Sequence, residues 1–165
     1  MKIKDSGDRT MFESGAVRDM HGEDKGRCDL LPMDVLAELF FGIDRHKEYT
    51  FVFDYLDEFQ ATGDWNCLLV ILGKFSEVYW GDGKTMLLEV SKHFRDGAEK
   101  YNENNWRLGI PVKNYVDSAL RHFFKFLRGD TDEPHDRAFC WNLICAAWTC
   151  KHKPELNPYR SEGIE

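Results

Sequence analysis

Apolar side chains recur at three- and four-residue spacing over most of the sequence from Leu30 to Cys150. This period collects them on one face of an α-helix, whereas a half-buried strand needs strict alternation. We therefore predict an all-α fold, a bundle of four to six helices, with a strand as the alternative for Tyr49–Phe59 and no sheet elsewhere. The predicted helices are Met33–Phe41, Tyr49–Phe59, Trp65–Trp80, Thr85–Tyr101, Val112–Leu127 and His135–Cys150.

The chain has the length and apolar content of one domain, covering residues 1–165. It has 165 residues, of which 42% are apolar, enough for a core. Residues 1–30 contain several glycines among mixed charges and show no periodicity, so they are predicted to be loop-like and to drape over the helices. Prolines in residues 153–165 mark a polar tail.

The excess of acidic over basic residues bears on whether the protein binds nucleic acid. Asp and Glu number 29 against 22 Lys and Arg, a formal charge of −7. An acidic surface repels a phosphate backbone, so non-specific nucleic-acid binding is not expected. Any phosphate chemistry would need a local group of cations or a divalent metal.

Three of the five cysteines fall in one apolar stretch. Zinc binding by Cys140, Cys145, Cys150 and His152 is the alternative to burial in the core. Five-residue steps on a helix turn the side chain by about 140°, so these thiols do not converge, and we expect core cysteines. No signal-peptide pattern and no bilayer-length apolar run occur, which predicts a reduced, cytoplasmic protein that does not enter a membrane.

The predicted helix Thr85–Tyr101 carries a polar face opposite an apolar stripe that includes Leu87, Val90 and Phe94. Two interpretations stay open: a face that binds metal or phosphate, and the solvated side of an amphipathic helix. The polar residues recur at steps of three and four, and they are Glu89, His93, Asp96, Lys100 and Glu103.

The last predicted helix is apolar nearly all round and should be buried. Four of its residues lie on one stripe: His135, Ala138, Asn142 and Thr149. A buried Asn needs hydrogen-bond partners, since an unpaired one costs about 1–3 kcal/mol. A ligand beside Asn142, or a core Asn satisfied by a neighbouring loop, would both meet that need.

An acidic turn precedes the same helix. Helix capping and the helix dipole favour acids at this position. Four acids and one His exceed what capping requires, and they suit a hard divalent cation. These residues are Asp130, Asp132, Glu133, His135 and Asp136.

Basic residues face this turn from the preceding helix. Arg121, His122, Lys125 and Arg128 line its polar side, and carboxylates beside cations are what polyphosphate hydrolysis needs. A second basic segment, Lys25–Pro32, lacks the spacing of a P-loop but is a candidate phosphate-contacting loop.

Two other functions stay open on these residues. His135-Asp136, with His93 or His122 upstream, resembles the metal site of an HD phosphohydrolase, although no Asp follows Asp136 to complete the pattern. The other alternative is a small, non-enzymatic helical interaction protein whose acidic faces are only solvated.

An ordered series of short blocks resembles the phage dATP/dGTP diphosphohydrolases, which are MazG-like pyrophosphohydrolases. It covers nearly the whole chain except residues 44–84, which look like an insertion or a divergent segment. The blocks are Asp5-Ser6-Gly7, Gly15–Asp19, Gly26–Pro32, Gly97–Tyr101, Asn105-Trp106, Asp117–His122, Gly129-Asp130, Asp132–His135 and Trp141–Leu143.

The resemblance implies an all-α pyrophosphohydrolase that depends on Mg²⁺, with Mn²⁺ as a substitute, and that forms a homo-oligomer. Its substrate would be a purine deoxynucleoside triphosphate, dGTP or dATP, cleaved to the monophosphate and pyrophosphate. The dGMP product would supply phage 2-aminoadenine nucleotide synthesis in the host cytoplasm.

The resemblance also implies site residues. The wider MazG group has an EExxE helix and an ExxD helix; Glu133–Asp136 matches the second pattern and nothing matches the first. The predicted metal ligands are Glu89, His93, Asp96, Glu133 and Asp136, and the predicted catalytic residues are Glu133, His135 and Asp136. The predicted phosphate contacts are Lys25, Arg27, Arg121 and His122, and the predicted sugar or base contacts are Asn105, Trp106 and Asn142.

Overall fold

All six predicted helices are present in the computed structural model, which describes residues 7–20, 25–43 and 46–160. The prediction of an all-α bundle is confirmed, and the segment with a strand alternative is helical. The helices are α1 (Met33–Ile43), α2 (Phe51–Thr62), α3 (Asn66–Trp80), α4 (Gly83–Tyr101), α5 (Val112–Arg128) and α6 (His135–His152).

The break between α3 and α4 is shorter than predicted. Gly81 ends α3 in the left-handed conformation, at φ +82°. Asp82 then caps α4 by accepting a hydrogen bond of 2.8 Å from the Thr85 amide. Gly83 is consequently the first residue of α4 rather than part of the terminator.

Helix α6 lies at the centre and contacts α3, α4 and α5. It is buried nearly all round, as its composition predicts. Its Phe139 ring packs on Phe75 of α3 at 4.9 Å and on Phe123 of α5 at 5.1 Å between centroids. These tilted aromatic pairs join three helices into one core.

Residues of the segment 44–84 supply a large part of that core. Phe53, Leu56 and Phe59 of α2 and Leu68 and Phe75 of α3 have no exposed surface. This segment is therefore integral to the packing of the chain.

The expectation of no sheet is wrong for the N-terminal segment. Strands β1 (Arg9–Met11) and β2 (Val17–Asp19) form an antiparallel hairpin in which Arg9 pairs with Asp19. Strands of three residues are too short for alternation to appear in the sequence. The hairpin is held by α4, because Lys100 and Tyr101 bind the Asp19 carboxylate at 2.8 and 2.6 Å.

The loop before α1 is tied to α5. The Cys28 amide donates to Asp117 Oδ1 at 2.6 Å, and Arg121 donates to the Gly26 carbonyl at 3.0 Å. Both contacts cross from the N-terminal segment to the helical body, so this loop forms a wall beside α5.

The tail after α6 packs on α2 as far as residue 160. Tyr159 contacts the Phe59 ring at 5.2 Å, and Asn157 donates to the Gly63 carbonyl at 3.1 Å. Gly63 has φ +71°, and a Cβ there would lie 2.7 Å from Arg160 Cα, so glycine is required. The rest of the predicted tail lies outside the described residues.

The cysteines are core residues, as predicted. Cys67, Cys140, Cys145 and Cys150 are buried and unpaired. Burial raises the pKa of Cys150 to about 12, so its thiol is protonated at neutral pH. In the described part of the chain, no helix combines the length and apolar character needed to cross a membrane.

Candidate functional site

A cavity of about 760 Å³ opens between the N-terminal hairpin, the loop at 25–28 and helices α4, α5 and α6. Its size is typical of a small-molecule site. Many of the residues that the sequence singled out line it together: Lys25, His93, Asn105, Trp106, Arg121, His122, Glu133 and Asn142.

The other predicted residues do not line the cavity. Exposed Arg27 is paired with Asp29, and its hydrogen bond to that carboxylate raises the pKa of the guanidinium. Glu89 binds Lys92 at 2.5 Å and Asp96 binds Arg95 at 2.7 Å, each within α4. Neither carboxylate belongs to the groups of ligand atoms that converge in the described residues.

Asp136 points away from the cavity. Its carboxylate lies beside Tyr79 of α3. Burial first, and then this neighbouring carboxylate, raise the pKa of the Tyr79 hydroxyl. The adjacent residues His135 and Asp136 therefore face different helices: His135 faces α5 and Asp136 faces α3. The structure therefore does not bring Asp136 together with Glu133.

The solvated interpretation of α4 is wrong for two of its residues. His93 and Asp96 are only 7% and 6% exposed, whereas Leu87, expected inside, is 59% exposed. The buried stripe is rotated so that Met86, Val90 and His93 face inwards. The cause is α6, whose Trp141 ring packs on the His93 ring at 5.5 Å.

Two histidines and an aspartate form a chain beside Glu133. His122 Nδ1 lies 2.9 Å from His135 Nδ1, and His135 Nε2 lies 2.8 Å from Asp132 Oδ1. The bond from His135 lowers the pKa of Asp132 to about 2, so this carboxylate is ionised. Burial, then the charge of His135, holds the pKa of His122 well below its usual value and keeps it neutral.

The same residues can hold a divalent cation. His122, Glu133 and His135 each offer one ligand atom within 4.8 Å of the others, and so do Asp130, Asp132 and His135. Carboxylate oxygens suit Mg²⁺ and Mn²⁺, and the neutral His122 imidazole favours Mn²⁺ over Mg²⁺ in this donor set. Glu133 and His135 were anticipated, whereas His122 was expected to contact phosphate.

Basic side chains surround this cluster. Lys125 lies 3.5 Å from Asp132 Oδ2, Arg128 Nε lies 2.7 Å from Asp130, and Arg121 is paired with Asp117. The acidic turn and the basic face of α5 therefore meet, as the sequence suggested. Each of these three cations already has a carboxylate partner.

Asn105 and Trp106 form the opposite wall. Both polar groups of the Asn105 amide bind the Val17 backbone, at 2.9 and 2.8 Å, so this residue anchors the hairpin. The Trp106 ring packs edge-on against Phe94 and Trp148, at 5.5 and 5.1 Å. This wall is aromatic and rigid.

The sequence did not single out Arg18 as a site residue. Its side chain leaves β2, crosses the Tyr115 ring at 5.1 Å and donates from Nη2 to Asn142 Oδ1 at 2.6 Å. Asn142 also donates to the Ala138 carbonyl at 2.8 Å. The open question about Asn142 is thereby answered: it is a satisfied buried residue that holds Arg18 in the cavity lining.

Several buried polar atoms near Arg18 have no hydrogen-bond partner in the described residues. Arg18 Nη1, His93 Nδ1 and Trp141 Nε1 belong to residues that line the cavity, and the fourth atom, Asp96 Oδ2, belongs to a residue outside the lining. Burial, followed by the charge of Arg137, lowers the pKa of His93 to about 4, so its ring is neutral. Native structures rarely leave such atoms unpaired, and a ligand would satisfy them.

One comparison with known proteins gave a match. Residues 83–158, just under half of the chain, match the model of the family described as dATP/dGTP diphosphohydrolase, N-terminal. These residues include all of α4, α5 and α6, and with them Glu133, the paired histidines His122 and His135, and Asn142. No curated protein and no solved structure matches. This match supports the resemblance to the dATP/dGTP diphosphohydrolases and, with it, the expectation of a nucleoside triphosphate pyrophosphohydrolase.

Proposed function

We propose that the cavity binds a purine deoxynucleoside triphosphate, dGTP or dATP, and hydrolyses it to the monophosphate and pyrophosphate. The observation that carries the proposal is the meeting of Glu133, His122 and His135 with the basic face of α5 at one end of a cavity of about 760 Å³. Acid–histidine groups beside cations are the arrangement that phosphoryl transfer requires.

In this proposal a water molecule attacks the α-phosphorus and the bond to the bridging oxygen of the β-phosphate breaks. The acid–histidine cluster accepts a proton from the attacking water, because His, Glu and Asp side chains act as general bases. Lys25, Lys125 and Arg128 neutralise part of the charge of the triphosphate. A divalent cation, Mg²⁺ or Mn²⁺, would supply further charge neutralisation and lower the pKa of water when bound.

The donor set supports a divalent cation, because the neutral His122 imidazole and the Glu133 carboxylate offer ligand atoms within 4.8 Å of each other. Of the predicted ligands, Glu133 belongs to this set. In our proposal Glu89, Asp96 and Asp136 are outside it, since their positions are on other sides of α4 and α6.

The wider biological role rests on the resemblance. We propose that dGMP from this reaction supplies phage 2-aminoadenine nucleotide synthesis in the host cytoplasm, and that the enzyme acts as a homo-oligomer. Exposed apolar residues on α3 and α4 are in keeping with subunit contacts: Leu69, Val70, Val78, Leu87 and Leu88.

Product analysis tests the reaction. The protein is incubated with dGTP or dATP and Mg²⁺, and the products are separated by anion exchange. We expect the deoxynucleoside monophosphate and pyrophosphate in equal amounts. Tripolyphosphate with free deoxynucleoside would instead indicate HD-type chemistry, and no turnover of any deoxynucleoside triphosphate would refute the proposal.

A further inference from the structure

Arg18 brings a cation into the cavity without a charged partner. Its Nη2 is bound to the neutral Asn142, its guanidinium lies over Tyr115, and its Nη1 is buried with no partner. Within residues 7–20, 25–43 and 46–160, no carboxylate forms an ion pair with it. The carboxylate next to it in sequence, Asp19, is bound to Lys100 and Tyr101 instead.

Such a residue is costly to fold. Removing a charge from water costs several kcal/mol unless an opposite charge or full hydrogen bonding offsets it. A contact with the face of Tyr115 returns only about 0.5–2 kcal/mol. A bound anion would offset the remaining cost. The other arginines of the cavity lining are each paired with an aspartate and do not need such an anion.

The neighbouring unpartnered atoms point to the same kind of ligand. Trp141 Nε1 can only donate a hydrogen bond, and Arg18 Nη1 can only donate. Two buried donors on one wall require a ligand rich in acceptors. A phosphoryl group offers acceptors only, together with the negative charge that Arg18 lacks.

The position of Arg18 says which part of the substrate it meets. Its anchor Asn142 follows His135 by seven residues on α6, about 10 Å along the helix axis. If the reacting α-phosphorus lies at the Glu133 cluster, Arg18 meets either the phosphates that leave or the nucleobase. The leaving phosphates are charged and the base is neutral.

We infer that Arg18 binds the terminal phosphoryl groups of the substrate, which leave as pyrophosphate, and that Asn142 positions its guanidinium. The inference uses the proposed function to name the ligand, whereas the need for an anion follows from the burial of Arg18 alone. Arg18 is thus a substrate-binding residue, and Asn142 acts through it.

Binding of inorganic pyrophosphate, measured by isothermal titration calorimetry in buffer with Mg²⁺, tests the inference. Hydrogen bonds to charged groups contribute about 1.5–3 kcal/mol, so Arg18→Gln should raise the Kd about 10- to 100-fold. The control is Lys113→Gln, which removes an equal charge from an exposed position outside the cavity lining. Its Kd should stay within about twofold of the unmodified value, because exposed charges are screened.

Asn142→Asp separates anion binding from a structural role. It puts a carboxylate where Asn142 Oδ1 now lies, 2.6 Å from Arg18 Nη2, and so gives Arg18 an internal partner. We expect pyrophosphate binding to weaken about as much as in Arg18→Gln, and loss of the hydrogen bond from Asn142 Nδ2 to the Ala138 carbonyl should lower the thermal midpoint. If Arg18 only braced the fold, this variant would bind pyrophosphate as the unmodified protein does.

Deoxyguanosine serves as the second ligand, because it carries the base without phosphate. Arginine can also read the O6 and N7 edge of guanine. Loss of deoxyguanosine binding in Arg18→Gln, with pyrophosphate binding intact, would overturn the inference in favour of base recognition. Unmodified protein that does not bind pyrophosphate would overturn it as well. Circular dichroism checks folding, and if Arg18→Gln is unfolded, Asn142→Asp decides.

The proposed function can fail separately. Pyrophosphate binding that depends on Arg18, without turnover of any deoxynucleoside triphosphate, would refute the hydrolysis and support the anion subsite. Turnover of a deoxynucleoside triphosphate, with pyrophosphate binding that is unchanged in Arg18→Gln, would support the hydrolysis and refute the anion subsite.

Discussion

The Nδ1 atoms of His122 and His135 lie 2.9 Å apart, a distance at which one proton lies between two imidazole rings. Asp132 accepts from His135 Nε2 at 2.8 Å, and this fixes the tautomer of His135. When His135 carries its proton on Nε2, its Nδ1 accepts from His122. That order leaves the lone pair of His122 on Nε2, available to a ligand in the cavity. His135 then orients His122, and a cation would be held by His122 and Glu133.

Replacing His122 should therefore impair hydrolysis. We expect His122→Gln to lower kcat for dGTP by about 10²- to 10⁴-fold, the range for loss of an acid–base group. His152→Gln is the matched control, because His152 is exposed and stacks on Trp148 outside the cavity lining. Steady-state assays of both variants check this, and an equal loss in the two would count against a role for the histidine pair.

Glu133 is expected to contribute to binding of the divalent cation. Glu133→Gln keeps the size of the side chain and removes the charge, so it should raise the Mg²⁺ or Mn²⁺ concentration needed for half-maximal activity by about tenfold or more. Glu155→Gln, at an exposed position after α6, should leave that concentration unchanged. A Glu133→Gln enzyme with unaltered metal dependence would move the cation site elsewhere.

The stability of the fold should depend on pH through His93. Its pKa of about 4 lies below the ordinary value of 6.5, so the unfolded chain binds more protons between these two values. Stability from the neutral, buried ring is then present above pH 6.5 and is lost as the pH falls towards 4, by about 3 kcal/mol.

Chemical denaturation at pH 7, 5.5 and 4 measures this dependence. His93→Asn should show a shallower fall in the free energy of unfolding over this range, because the titrating ring is gone. Equal slopes for the two proteins would mean that His93 is protonated in the fold.

The segment 44–84 should be essential to stability. Phe75→Ala removes a fully buried ring that packs on Phe126 and Phe139. The substitution should lower the free energy of unfolding by about 3–5 kcal/mol. Val35→Ala, on a side chain of α1 that is 57% exposed and outside the proposed subunit contact, should change the free energy of unfolding by less than about 0.5 kcal/mol. Urea titrations compare the two. A small effect of Phe75→Ala would show that α3 is a dispensable addition.

Periodicity alone predicts the helices of this fold but not how each one is rotated. Helix α5 has one clear apolar stripe, and Val116, Leu120 and Phe123 are buried as expected. Helix α4 offers two overlapping stripes, one through Leu87 and one through Met86. Packing against Trp141 selects the second, and no count of apolar residues within α4 contains that information.

The candidate site was partly predictable for a similar reason. Glu133 and His135 stand out because they crowd one turn, and Arg121 and Lys125 because they repeat along one helix face. Arg18 is one of several basic residues scattered through a non-periodic segment. The block Gly15–Asp19 contributed to the resemblance, but a role for Arg18 follows only from its contact with Asn142, 124 positions away.

The site of water attack tests the central claim most directly. Hydrolysis of dGTP in ¹⁸O-labelled water with Mg²⁺, followed by ³¹P NMR of the products, locates the new oxygen. Attack at the α-phosphorus predicts the label in dGMP and none in pyrophosphate. Label in pyrophosphate, or in released tripolyphosphate, would contradict the account.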